Sequence, residues 1–325
     1  MVKLKRQLYP CPQRPWAPML DQSILKNMTL TPKLITRVAG AALLSLTLAL
    51  PLHAKDPFRS TKARAIGNET SAAFTTLFRD GDYRSALPQI DRAMKANSNE
   101  PLAHTMGALV AFFQQDMNTM RQRGTSIKQT AQALQRTDKL RSHIYLAVAD
   151  LVEASYLFKT EGISGVPKIL PLIQNVLNEL RTANSIDPED PELNLLRGLI
   201  DILISSVSSS LIPANDVETS LTRLRQFSAP DYLRWGGVAV AYRDARQPAP
   251  ALEAIDKALA VAPQNPMLHY FKGQIHWIQG NIPEAKRFYQ MTLSRAPQLP
   301  TQFIKDVQTE CIRLTGKAEE CPVSQ

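Results

Sequence analysis

Small and large apolar residues recur along this chain in steps of three and four, the spacing that lays one apolar stripe on an amphipathic helix. The clearest stretch repeats itself. Ala251, Ile255, Leu259 and Pro263 return at the same spacing as Ala285, Tyr289, Leu293 and Pro297, and Ala239 returns as Gly273. The pattern predicts two successive units, each a pair of antiparallel helices. Close approach of paired helices needs small residues where they cross, and Gly273 with Ala285, or Ala239 with Ala251, supplies them. Tyr289 and Ile255 fill the space one turn on. Gly280 is placed to end a helix in the left-handed conformation. Pro283 then falls in the first turn of the next helix, where its missing N–H does no harm. Pro263 and Pro297 close the units, because proline cannot continue a helix.

Weaker copies lie upstream. Ala86, Ile90, Ala93 and Met94 correspond by one constant shift to Ala251, Ile255, Ala258 and Leu259. Pro191 and Gly198 keep the interval of Pro266 and Gly273. The step from Ala251 to Ala285 is the period of a tetratricopeptide-type helix–turn–helix unit, and these residues resemble the tetratricopeptide repeat (TPR) family. The resemblance is good over 232–300, fair over 71–112 and 176–204, and poor over 113–175. It departs from the family at Lys272 and His276, where apolar or aromatic residues are preferred, and at Arg246, where glycine is expected. More narrowly, the chain resembles an exported TPR family of cyanobacterial type. The resemblance implies an all-α solenoid that binds a protein or peptide and carries no chemistry of its own. It also implies a concave groove lined by Met267, Tyr270, Gln274, Trp277 and Ile278 in the last unit, and by Leu233, Val240, Arg243 and Asp244 in the one before. Tyr270, Trp277 and Arg243, if exposed, are good anchors for a partner.

The remaining pattern predicts helices over the rest of the chain and no strand. A helix pair covers about 70–96, with Asn68 or Thr70 as its cap, and Leu102–Phe113 is the next helix. A weakly amphipathic helix spans the polar stretch 114–142, and an apolar one runs from Tyr145 to Phe158. Gly162 to Pro167 is the best candidate for a break, and the following helix begins near Pro171. Leu193–Ile204 is apolar all round except for Arg197 and Asp201, which are placed to pair. Asn215 to Glu218 has capping-box spacing and opens a helix through Phe227.

The segment from Met1 to Ala54 changes the charge picture. Lys33 and Arg37 precede the uncharged run Val38–Leu50, and Ala54 ends the segment, as in a secretory signal peptide cut after Ala54. The run is too short for a membrane anchor, which needs about 20 apolar residues. Residues 1–27 fit no part of such a signal well: either the start is Met28, or else Met19, or the stretch is a long basic n-region. The segment holds seven of the 38 lysines and arginines and one of the 29 acids, leaving 31 against 28, a net charge of +3 where the whole chain has +9. The basic balance therefore gives no case for a nucleic-acid partner. The organisation expected is a presequence over 1–54, a polar arm over 55–69, a helical array over 70–310 and a tail over 311–325. Export to an oxidising periplasm leaves Cys311 and Cys321 as an even pair. A bridge between them would pin the tail to the last helix; two free thiols are the alternative.

Catalytic motifs are absent: no phosphate-binding loop, dinucleotide fingerprint, zinc-protease motif or nucleophile elbow. No cofactor or metal is expected, since His269 and His276 stand two helical turns apart, about 10 Å, too far to share an ion. Arg121, Arg123, Lys128, Arg136, Lys139 and Arg141 form either a site for an anionic partner or a solvated helix face. The sequence thus points to an exported binding scaffold. A structural component of envelope assembly is the first rival, and a helical-array hydrolase, which needs paired carboxylates in a cleft, the second.

Overall fold

The computed structural model describes residues 56–207 and 217–324; the presequence, its cleavage near Ala54 and the cap expected at Asn215 lie outside them. Among the described residues the fold is all-α, without a strand. Helices follow one another in antiparallel pairs: α1 (Asn68–Phe74) with α2 (Tyr83–Ala96), α3 (Pro101–Phe113) with α4 (Met117–Ala133), and α5 (Lys139–Glu161) with α6 (Val166–Ile186). Then come α7 (Pro191–Val207) with α8 (Val217–Phe227), α9 (Asp231–Asp244) with α10 (Pro248–Val261), and α11 (Pro266–Gln279) with α12 (Ile282–Leu293). A single helix, α13 (Thr301–Thr315), covers the end.

The repeat residues do what their sizes predict. Ala86, Ala93, Ala239, Ala251 and Ala285 are all buried in one continuous core with Ile90, Ile255 and Tyr289. A Cβ placed on Gly273 would meet the Tyr289 ring at 3.3 Å and the Ala285 carbonyl at 3.4 Å, so this is where α11 and α12 cross. Gly280 ends α11 at φ +81°, and Pro283 sits in the first turn of α12. Pro263 lies between α10 and α11, and Pro297 in a 3-10 turn after α12.

The correspondence between the front and the back of the chain extends beyond the apolar stripe. Glu100 and Asn265 occupy equivalent places and cap α3 and α11 with a side-chain oxygen, and a proline follows each, Pro101 and Pro266. His104 Nε2 lies 2.9 Å from the Ser98 carbonyl, and His269 Nε2 lies 3.0 Å from that of Pro263, each reaching back along the chain to close the turn between units. Asn194 does the same to Pro188 at 2.8 Å. These histidines are structural turn locks.

The middle of the chain differs from expectation in its boundaries. Helix α1 begins at Asn68 with Gly67 at its cap and widens into a π-helical turn, Thr75–Arg79. Helix α5 starts at Lys139, ahead of the apolar run, because Asp138 caps it by accepting from Arg141 N at 3.0 Å. Gly162 to Pro167 is no break: Gly162 turns the chain at φ +60°, and α6 begins at once at Val166, with Pro171 inside the helix. At 23 and 21 residues, α5 and α6 exceed the 14-residue helices α9, α10 and α11. The paired-helix plan persists here, but the short frame of the last units cannot hold it. Arg197 donates to Asn184 at 3.1 Å and Asp201 accepts from Ser220 at 3.0 Å, so both tie α7 to a neighbouring helix.

Odd-numbered helices form one layer, in which α1 touches α3, α3 touches α5, α7 touches α9 and α9 touches α11. In an ideal solenoid each unit meets only its neighbours. Here the first pair also meets the last ones. Asn265 Nδ2, at the start of α11, donates to the carbonyls of Phe78 (2.9 Å) and Arg79 (3.1 Å), where the π-helical turn ends. Gly81, at φ +66°, lies so close that an added Cβ would stand 2.8 Å from both Asn265 Oδ1 and Pro266 Cδ. Helix α2 in turn touches the 3-10 turn Ala296–Gln298. The array closes on itself.

Candidate functional site

Closure settles where the expected groove residues lie. Tyr270 is 3% exposed, Arg243 4% and Trp277 9%, so the exposure that would make them anchors is absent. Tyr270 is interior because Phe303 and Glu310 of α13 cover it. Arg243 donates to Gln274 Oε1 at 2.5 Å. Gln274 Nε2 donates to the Tyr270 hydroxyl at 2.6 Å and to Glu310 of α13 at 3.1 Å. The hydroxyls of Tyr270 (3.0 Å) and Tyr289 (3.1 Å) donate to the same carboxylate. Burial nonetheless pushes the Glu310 carboxyl above its ordinary value, and it drives the Tyr270 hydroxyl well up, with the Glu310 charge adding to it. Trp277 stands edge-on to Tyr289, centroids 6.3 Å apart. Sequence placed these residues on one face but gave no sign that Glu310 would meet them.

Cys311 and Cys321 form a disulfide with Cα atoms 6.0 Å apart, both residues fully buried. Gly316 ends α13 at φ +75°, and the chain returns through Ala318–Glu320. The tail is fastened besides by Gln290 Nε2 donating to the Glu320 carbonyl at 2.6 Å and by Lys286 pairing with Glu320 at 2.5 Å.

The amino-terminal arm is also fastened, which its polar sequence conceals. Asp56 accepts from Phe58 N (2.8 Å) and Arg64 N (3.0 Å), and the Phe58 ring packs edge-on against Phe74 at 5.1 Å. Arg59 pairs with Asp190; Arg64 pairs with Asp190 (2.8 Å), Glu192 (2.7 Å) and Asp138 (3.1 Å). Beside them Arg141 joins Glu192 (3.2 Å) to Glu100 (2.7 Å), and the Tyr145 hydroxyl donates to Glu192. Asp138, Asp190 and Glu100 are the caps of α5, α7 and α3; the arm's arginines collect the acidic starts of α5 and α7, and Arg141 adds that of α3. Burial raises the Glu192 carboxyl although Arg141 and Arg64 pull it down. Each of these carboxylates is matched by a guanidinium, and Asp190, Glu192 and Glu100 are shut away from solvent while Asp138 is partly exposed.

Part of the basic cluster is taken up in the same way. Arg141 belongs to that buried network. Arg121 pairs with Glu153 at 3.1 Å and lies over the Tyr156 ring, and Lys128 pairs with Asp150 at 3.1 Å. Arg121 and Lys128 thus brace α4 against α5, while Arg136 and Lys139 stay exposed. No group of three or more potential metal ligands occurs among the described residues, and His276 stacks on Phe288 at 5.5 Å. No helix among them is long and apolar enough to cross a membrane.

What the odd-numbered layer does line is a half-open apolar cavity of about 200 Å³ at the junction of the first pairs with α7, α9 and α11. Leu77, Phe78, Leu109 and Phe113 line it from the front of the chain, Leu199 and Ile202 from α7, and Leu233, Val240, Met267 and Phe271 from α9 and α11. Three of the residues expected in the groove, Leu233, Val240 and Met267, are thus on its wall. The rest of the wall was not legible, because it comes from segments at the other end of the chain.

Residues 239–300 match the family model for the tetratricopeptide repeat. That stretch is similar to the tetratricopeptide repeat, and the helix pairs before it are also antiparallel. No curated protein matches the chain. Among solved structures it is similar to a thermophilic TPR protein of Thermus thermophilus, at 18% identity over 77% of this chain and 98% of that one, with a TM-score of 0.32. It is also similar to the Cut9–Hcn1 hetero-tetramer of the APC/C, at 11% identity over 73% of this chain and 47% of that one, with a TM-score of 0.37. A TPR fold is that of a protein-interaction scaffold.

Proposed function

We propose that the protein is an exported, non-catalytic scaffold that binds a protein partner at the inner, odd-numbered layer. The apolar cavity carries this reading: it is the place where that layer presents unfilled apolar wall, and Met267, Leu233 and Val240 contribute to it. Tyr270, Gln274 and Arg243 support the wall from behind by fixing α11 against α9 and α13, and Trp277 packs on Tyr289 of α12, instead of touching the partner themselves. Export rests on the basic and apolar presequence, and an oxidising compartment suits the Cys311–Cys321 bridge. The test is capture of partners from the native compartment with the parent chain and with Met267→Glu. Loss of specific partners with helical circular dichroism retained is the expected result; an unchanged partner set counts against the inner layer. Amino-terminal sequencing of the recovered protein should begin at Lys55, and a chain retaining residues 28–54 would remove the export step.

A further inference from the structure

Two polar groups on the cavity wall have no partner among the described residues. Tyr83 and Tyr232, 9% and 7% exposed, both line it. Neither hydroxyl makes a hydrogen bond among those residues. The Tyr83 ring stands edge-on to Phe113 at 5.0 Å, and burial alone acts on its hydroxyl. Neither hydroxyl is sealed from solvent, and the charges of Arg79 and Asp80 also act on that of Tyr232. Asn265 also reaches the wall, but its amide is committed at both ends: Oδ1 caps α11 and Nδ2 holds Phe78 and Arg79. The hydroxyls are therefore open polar positions in an otherwise apolar chamber.

Size limits what the chamber takes. An apolar cavity of about 150 Å³ accommodates benzene. The 200 Å³ here scales to about eight or nine non-hydrogen atoms by the same measure. We propose that the cavity is a binding site for one flat aromatic group of that size carrying a single N–H or O–H, of the indole or phenol class. Its ring lies among Leu77, Phe113, Met267 and Phe271, and its heteroatom bonds the hydroxyl of Tyr83 or Tyr232. The same chemistry comes from a free aromatic molecule or from a tryptophan or tyrosine side chain of a peptide. The inference rests on the proposed function for the location of the binding face, but a free molecule fills the site without any partner protein.

Calorimetric titration of the purified protein with indole, with its carbon isostere indene and with the peptide Gly-Trp-Gly tests it. Indole should bind saturably and about three- to tenfold more tightly than indene, the worth of one hydrogen bond. In the double variant Tyr83→Phe, Tyr232→Phe that preference should vanish while indene binding persists. Val240→Phe, which fills the chamber, should weaken both by tenfold or more. Binding of Gly-Trp-Gly identifies a peptide side chain as the source; binding of indole without it identifies a free molecule. No saturable indole binding, or binding unchanged by Val240→Phe, overturns the proposal. If Val240→Phe loses its helical signal, the tyrosine variant decides, and a retained preference for indole overturns the proposal. Indole binding together with a partner set unaffected by Met267→Glu would uphold this site and remove the proposed function.

Discussion

The arm before α1 and the helix after α12 each cover one end of the array, with opposite chemistry. At the amino-terminal end, Arg59, Arg64 and Arg141 neutralise Asp138, Asp190, Glu192 and Glu100 in a buried ionic cluster. At the carboxyl end, one carboxylate, Glu310, is shared by two tyrosine hydroxyls and an amide, and a disulfide holds the tail. The difference is one of tolerance. Buried charges are stable only with every partner in place, and losing one leaves an uncompensated ion. A covalent link and aromatic packing lose stability in smaller steps. The charged end thus fixes which helices meet, since a register shift would strand a charge, and the bridged end resists fraying where the last helix lacks a neighbour on one side.

Breaking the ionic end should have the largest effect. Glu192→Ala leaves Arg64, Arg141 and Tyr145 without their shared acceptor and should destabilise by about 3–5 kcal/mol in denaturant titrations. Replacing Cys311 and Cys321 with serine opens the short loop they close and should lose roughly 2–3 kcal/mol. Hydrogen exchange should place that loss in α13, with the ionic end unaffected. Gly81→Ala tests the contact between the ends: a positive φ for a residue with a side chain costs about 1–3 kcal/mol, and the added Cβ meets Asn265 and Pro266. A loss beyond that range is expected; a loss of only about 1–3 kcal/mol, that of the backbone strain alone, would mean that the added Cβ meets nothing and that the ends do not touch in solution.

The smallest effect is one of pH. Burial raises the Glu310 carboxyl above its ordinary value of 4.5. A raised carboxyl binds its proton more tightly in the folded than in the unfolded chain, so its contribution is full below pH 4.5 and is lost as pH rises through the folded value. Stability curves of the parent and of Glu310→Gln should therefore differ in slope just above pH 4.5, with the parent falling more steeply. Parallel curves would show that the carboxyl is not perturbed.

Most of the fold was legible because it is local. The stripe of Ala251, Ile255, Ala285 and Tyr289, the proline stops and Gly280 each report a contact within one unit or between adjacent units. What escaped is long-range. Asn265 reads as an ordinary cap, and nothing nearby reveals that its other end reaches Phe78. Arg59 and Arg64 look like a solvated arm, because their carboxylate partners Asp138, Asp190 and Glu192 lie far along the chain. The same blindness misplaced the site. Tyr270, Trp277 and Arg243 lie on the face expected to be open, and the arrival of α13 with Phe303 and Glu310 makes Tyr270 interior. Met267, Leu233 and Val240 line the apolar cavity, and the wall opposite them comes from the first two helix pairs and α7.

The closed inner layer exists only if the two ends of the array meet around the cavity. Spin labels at exposed Arg84, beside the first turn, and at exposed Gln264, beside the α11 cap, measure that contact directly by electron paramagnetic resonance. A single short, narrow distance distribution that broadens when Asn265→Ala is added is the expected result. A long or broad distribution in the parent protein, indifferent to Asn265→Ala, would mean an open solenoid and would contradict the closed inner layer.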